Sequence, residues 1–332
     1  MMRALKFLLQ SQLKRSKVID PVGGFSLIEL LVAMILAVLV IAPLMGFMIS
    51  VMNTDRQEQA KVSSEQEIQV ALDYIARDLQ QAIYIYDSAG IDAIRNELPS
   101  STSTDRVPVL VFWKRELINQ AITITGSEKD DTYVYSLVAY YLIKDSNTNW
   151  SNAARITRWQ IRDGVASAGG VSCTGYTGKY VSGYCPSDGF ALFSLDGAGT
   201  IHEKMNAWKR LSQYTTKDAN GTNVVTDVNY SATPVVLVDY IDQTTTGAPA
   251  KTACTASTLV APNTANFNTR TTFNMTSFYA CVDRVNTTAQ IFIRGNAIAR
   301  LQNNNLNYAA NRSAYFPTAS IRVQGRGYLF TQ

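Results

Sequence analysis

A single histidine in 332 residues, His202, removes every site that needs two imidazoles, and its setting in Gly-Thr-Ile-His-Glu-Lys reads as a surface turn. The four cysteines, Cys173, Cys185, Cys254 and Cys281, include no C-x-x-C pair, which argues against a zinc site or a thioredoxin-like centre. There is no phosphate-binding G-x-x-x-x-G-K-[ST] loop and no G-x-S-x-G elbow, and Gly197 and Gly199 lack the third glycine of a dinucleotide fingerprint. Asp145, Asn147 and Asn149 open like a calcium loop, but Trp150 at its sixth position and Ile156 at its twelfth remove the EF-hand geometry. A looser calcium site using Asp145, Asp188 or Asp196 is the remaining metal reading, for which polar loop tips are the simpler account. The sequence therefore offers no catalytic set, no metal site and no cofactor site.

Charge is scarce as well, at 17% of residues, against 46% hydrophobic and a mean hydropathy of -0.03. That balance is too apolar for a disordered chain and too polar for a multi-span transporter. The net charge of +4 is local: five of the 30 cations and one of the 26 anions fall within residues 1–24, leaving 25 against 25 in the remainder. A basic balance confined to Arg3, Lys6, Lys14, Arg15 and Lys17 reads as a topology or targeting signal, and it weakens any case for nucleic acid as a partner.

One long apolar run is present, Phe25 to Met52, in which Glu29 is the only ionisable residue and Pro43 the only strong helix breaker. Its 28 residues would make a helix of roughly 42 Å, enough to cross a hydrocarbon core of about 30 Å once. The preceding cations predict a cytoplasmic N-terminus and place residues after about 53 outside. A secretory signal would have a shorter apolar core followed by a small-residue cleavage site, whereas here the candidate site, Gly23-Gly24-Phe25-Ser26-Leu27-Ile28-Glu29-Leu30, precedes the apolar run. In these residues the chain resembles the class III leaders of type IV prepilins and type II secretion pseudopilins. The resemblance implies cleavage after Gly24 by a prepilin peptidase, methylation of Phe25, and retention of the helix on the mature protein. It also implies an assembly role for Glu29, paired with the N-terminal ammonium of a neighbouring subunit. A carboxylate at mid-depth costs about 2.5–3.5 kcal/mol on insertion scales and so calls for such a partner, and near a helix N-terminus the helix dipole favours it too.

Beyond the span, Ile68, Leu72, Ile75, Leu79, Ala82 and Tyr86 recur at alternating spacings of four and three, one apolar stripe of an amphipathic helix. The spacing predicts a helix continuing to Tyr86, about 93 Å from Phe25, with a kink near Pro43 and Gly46. Asp73, Arg77 and Asp78 are expected on its water-facing side, with Asp73 and Arg77 at the i,i+4 spacing of a supporting ion pair. The stretch ALDYIARDLQQAIY resembles the A-L-D-x-I-x-R-D-L-R-Q-A-x-Y pattern of W-type minor pilins and J-type pseudopilins, with Gln80 where many members carry arginine.

From Arg106 onward the chain breaks into short β-branched and aromatic runs, among them VPVLVFWKREL, YVYSLVAYYLI, ARITRWQIR, FALFSL and TPVVLVDYI. Gly, Ser, Asn and Thr clusters separate them, and no internal repeat is seen. Tyr176, Tyr180 and Tyr184 are expected to complete cores or interfaces. In exported, loop-rich sequence an even cysteine count favours two disulfides; three connectivities are open, sequential pairing being the simplest.

The expected architecture is α+β and type IV pilin-like: residues 1–24 a cleaved cytoplasmic leader, 25–52 a transmembrane helix, 53–87 its amphipathic continuation, and 88–332 an exported, antiparallel β-rich globular domain. The expected function is a structural subunit, not an enzyme, that helps initiate or cap a type IV pilus or a type II secretion-like filament. Its partners would be the prepilin peptidase, other minor pilins or pseudopilins, the major pilin, the inner membrane and, indirectly, the assembly platform and its ATPase. The long Thr/Asn-rich loops also resemble cyanobacterial pilins, including those linked to hormogonium polysaccharide secretion. The alternative is a membrane-anchored module that binds polysaccharide or DNA.

Overall fold

The computed structural model describes residues 26–124, 126, 128–262 and 273–327, so the leader, Gly24 and Phe25 lie outside the described residues. The chain divides into two compact units, Met1–Arg56 and Gln57–Gln332. The first consists, in its described part, of the start of helix α1 (Leu27–Leu79), which contains Pro43. Every described residue up to 59 is exposed.

The second unit is α+β. Residues 57–79 of α1 bury Ile68, Leu72, Ile75 and Leu79 of the stripe the spacing predicts, and with them Ala60, Ser64 and Ala71, which it did not include. The helix stops at Leu79, however, and β1 (Ala82–Ile85) follows, so the expected helical continuation to Tyr86 is corrected. A spacing of four is also a multiple of two: Ala82, Tyr84 and Tyr86 fit a strand as well as a helix. All four residues of β1 are buried, as suits an extended segment covered on both faces. Its partner β2 (Arg106–Thr123) and the C-terminal segment decide the matter: Gly327 donates its N–H to the Ala82 carbonyl, and Arg326 donates to that of Gln80. A Cβ at Gly325 would stand 2.5 Å from the Ala82 carbonyl oxygen, so only glycine permits this approach.

Between β1 and β2, Asp87 caps the short helix α2 (Ser88–Ile94) by accepting the Gly90 N–H. β2 then pairs with β3 (Lys129–Ile143), β3 with β4 (Ala154–Arg162), and β4 with β9 (Val235–Ile241), giving a five-stranded antiparallel sheet in the order β1-β2-β3-β4-β9. The excursion from β4 to β9 carries the hairpins β5 (Ala166–Ser172) with β6 (Lys179–Tyr180), and β7 (Gln213–Lys217) with β8 (Asn223–Asp227). A second sheet runs β10 (Thr258–Val260), β11 (Phe278–Asp283), β12 (Thr288–Arg294), β13 (Thr318–Gln324).

The core of β2 is buried at eight successive positions because both faces of the first sheet are covered. Phe112, Lys114, Tyr140 and Arg158 face α1, while Trp113 and Trp159 face the excursion. There the ring of Trp113 meets Phe190, Phe193 and Trp208 edge-on at centroid distances of 5.9, 5.0 and 5.7 Å, and Trp159 meets Tyr230 at 4.9 Å. The run FALFSL is therefore no strand: Phe190 and Phe193 are anchors of an irregular segment. Both cysteine pairs are sequential, Cys173–Cys185 and Cys254–Cys281, and the second ties the loop before β10 to the middle of β11.

Candidate functional site

At the start of α1, Ser26 Oγ accepts the Glu29 N–H, and Glu29 Oε2 accepts the Ser26 N–H, both at 3.2 Å. This is a reciprocal capping box that satisfies two otherwise orphaned donors. The role of Ser26 was missed in the sequence reading, although S-x-x-E before an apolar run is its signature. Glu29 thus has a partner within its own chain, at Oε2. Downstream of it α1 is long and apolar enough to cross a membrane by length and composition. Burying a large apolar side chain is worth roughly 1.5–3 kcal/mol, so a helix that exposes Leu30, Ile35, Leu39 and Phe47 together calls for an apolar environment outside the chain.

In the second unit Asp73 and Arg77 lie on the exposed face of α1 as expected, but Arg77 Nε donates to the backbone carbonyl of Asp73 at 3.3 Å. Asp78 departs from expectation more strongly. Rather than facing water, it is 7% exposed and points into the first sheet. Its carboxylate accepts from Lys114 Nζ at 2.9 Å, from Arg158 Nε at 2.7 Å and from the Tyr140 hydroxyl at 2.7 Å. Arg158 continues to Gln160, which donates to Glu116, a carboxylate also bonded by Ser136. Lys114 and the largely buried Arg158 thus share the single Asp78 carboxylate, and Arg158 reaches Glu116 only through the Gln160 amide. Desolvation by itself would raise the Asp78 pKa and is the largest single influence. The bond and charge of Arg158, and then the charge and bond of Lys114, outweigh it and hold the carboxyl below its ordinary value. The signal was available: Asp78 stands three residues after Ile75 and seven after Ala71, on the buried stripe itself.

A second buried pair, Arg294 Nε to Asp242 Oδ2 at 2.8 Å, fastens the end of β9 to β12. β9 reaches it through a bulge at Asp239 and Tyr240, where Tyr240 takes φ 56° and the Arg300 guanidinium covers its ring at 4.1 Å. Between this edge strand, residues 63–74 of α1 and the β3–β4 loop lies an open cleft of about 960 Å³.

His202 is not in a plain surface turn. It lies half-buried on helix α3 (Ile201–Asn206), with Nδ1 2.9 Å from the Tyr84 hydroxyl and Nε2 3.2 Å from the Asn206 amide. Desolvation pushes its pKa below the ordinary value. Asp145 is engaged by Arg155 at 2.6 Å, and among the described residues no group of three His, Cys, Asp or Glu side chains is arranged to hold a metal.

The class defined by these features is an α+β protein with one long N-terminal apolar helix, its second half packed on antiparallel sheets that two disulfides secure. No family model, curated protein or solved structure matches the chain.

Proposed function

We propose that this chain is a minor pilin or pseudopilin, of the W-type or J-type, that helps initiate or cap a type IV pilus or type II secretion-like filament. The observation that carries the reading is the division of α1 into two halves. Its residues up to 59 are exposed, those from Leu27 to Met52 being almost all apolar, while its later residues form one wall of a β-rich core. A helix that serves its own fold at one end and leaves the other bare suits a subunit held first in the inner membrane and then in a helical bundle of its neighbours. The basic leader and the Gly24-Phe25 junction add processing by a prepilin peptidase, with the N-terminus in the cytoplasm and the globular domain in the periplasm. Two disulfides suit that oxidising compartment. Activity in this reading is assembly with other minor pilins and the major pilin, driven by the platform and its ATPase, and no step of it is catalysed by this chain.

Mass spectrometry of the native protein tests the processing: an N-methylated Phe25 start is expected, and an intact Met1 start in cells with a working prepilin peptidase refutes it. Glu29→Gln tests assembly. The amide can still accept the Ser26 N–H, so the helix start is retained, while crosslinking to a companion pilin and incorporation into filaments fall. Equal crosslinking and equal filament numbers at equal membrane levels reject the pairing role for Glu29.

A further inference from the structure

The cleft beside β9 has a lining that the assembly reading does not use. Tyr74 and Trp150 stand in it with 41% and 42% of their surface in solvent, while Trp113, Trp159 and Trp208 are buried. Four uncharged side chains join them, Ser63 and Gln66 from α1, Asn149 from the β3–β4 loop, and Asn303 beyond β12. None of the four makes a side-chain hydrogen bond within the described chain. The charged groups at the cleft are already committed: Glu67 pairs with Arg300, and Asp239 accepts both the Ser151 N–H and its hydroxyl at 2.8 Å. Among the described residues no lysine or arginine lines it.

We infer that this cleft binds a neutral oligosaccharide. A sugar ring presents an apolar, weakly positive C–H face that matches the negative face of an aromatic ring, and a rim of hydroxyls that both donate and accept. Serine and the carboxamides also do both, so they can read hydroxyls in either sense. A polyanion would find no free cation, and a purely apolar helix would leave four amide or hydroxyl groups buried without partners. The volume lies at the upper end of the roughly 300–1,000 Å³ of small-ligand sites, room for several linked sugars along an open groove. The rings are also held in place before any ligand arrives. Tyr74 sits on a helix whose neighbours Ala71 and Ile75 are buried, and Trp150 belongs to a loop that the Asp239–Ser151 bonds tie to β9.

The test uses the full chain in lipid nanodiscs, free of sugar-based detergent, titrated with short neutral oligosaccharides: cello-, malto-, chito- and xylo-series. Tryptophan emission is the readout, since Trp150 is the solvent-exposed indole. Because Trp150→Ala removes that reporter, saturation-transfer NMR is run alongside. At least one series is expected to bind, and Trp150→Ala and Tyr74→Ala should each weaken it by about tenfold, equivalent to about 1.4 kcal/mol. Trp150→Phe should restore part of the loss, and the thermal midpoint should not move. Absence of binding by every series at about 10 mM overturns the inference. So does binding that persists unchanged in both alanine variants. Neither result bears on cleavage at Gly24, which is read from the N-terminal mass.

Discussion

Asp78→Asn is the most informative single change in the second unit, because it removes one negative charge and almost no volume. In the wild type that charge faces Lys114, 7% exposed at its side chain, and Arg158, 16% exposed, with the Tyr140 hydroxyl as a third donor. Deleting one member of a buried ionic cluster costs about 3–5 kcal/mol, chiefly by stranding the partners in low dielectric. The lower end applies here, since Arg158 keeps Gln160 and, through it, Glu116. A loss of about 3 kcal/mol should lower the thermal midpoint by about 6–12 °C in a unit of this size. Near-UV circular dichroism of the full chain would follow it. The pH dependence supplies the sign. The folded pKa of Asp78 lies below its ordinary 3.8, so its stabilisation is complete above about pH 4 and is lost as pH falls through the folded value. The gap between wild type and Asp78→Asn should thus be widest at neutral pH and close in acid. The quadruple change Asp78→Leu, Lys114→Met, Arg158→Met, Tyr140→Phe should recover most of the loss, because it leaves neither a charge nor the buried hydroxyl of Tyr140 without its Asp78 partner. A neutral-pH difference under about 1 kcal/mol, or a gap indifferent to acid, would refute the buried-anchor argument.

Gly295 bridges from β12 to α1, where an added Cβ would meet Ser64 Oγ at 2.7 Å, so Gly295→Ala should cost about 1–3 kcal/mol in urea unfolding. Among the described residues Ser64 Oγ is buried without a hydrogen-bond partner, so Ser64→Ala should be near neutral alone and should rescue much of Gly295→Ala; failure of that rescue would place the strain elsewhere. Replacing either cysteine pair with serine should lower stability by roughly 2–4 kcal/mol. The Cys254–Cys281 pair, separated by 27 residues against 12, should lose about 0.7 kcal/mol more on loop entropy, and equal losses would show native-state strain at work.

Patterns that repeat along the chain were legible in the sequence. The apolar run that ends at Met52 is plain from composition and the stripe from Ile68 to Leu79 from helical periodicity, and β2, β3, β4 and β9 from their β-branched and aromatic runs. The hairpin β7–β8 carried the turn signal Asn220-Gly221 but went unread. Asp78 was placed in water because acidic residues usually belong there. Its burial depends on Lys114 and Arg158, residues 36 and 80 positions away that only sheet registry delivers to the same point.

The end of α1 shows the division most plainly. Up to Leu79 the hydrogen bonds of the helix are local, between residues four apart, so local sequence is sufficient to specify it. From Ala82 to Tyr86 the same residues could continue a helix or form a strand, and their preference is settled by β2 on one side and Gly325–Gly327 on the other. Those partners are remote in sequence, and their contribution exists only once the chain has closed on itself. The sequence by itself determined a bare apolar helix joined to a β-rich body. The tertiary structure alone decided where that helix ends, which of its charges is buried as an anchor, and which aromatic side chains remain at the surface beside β9.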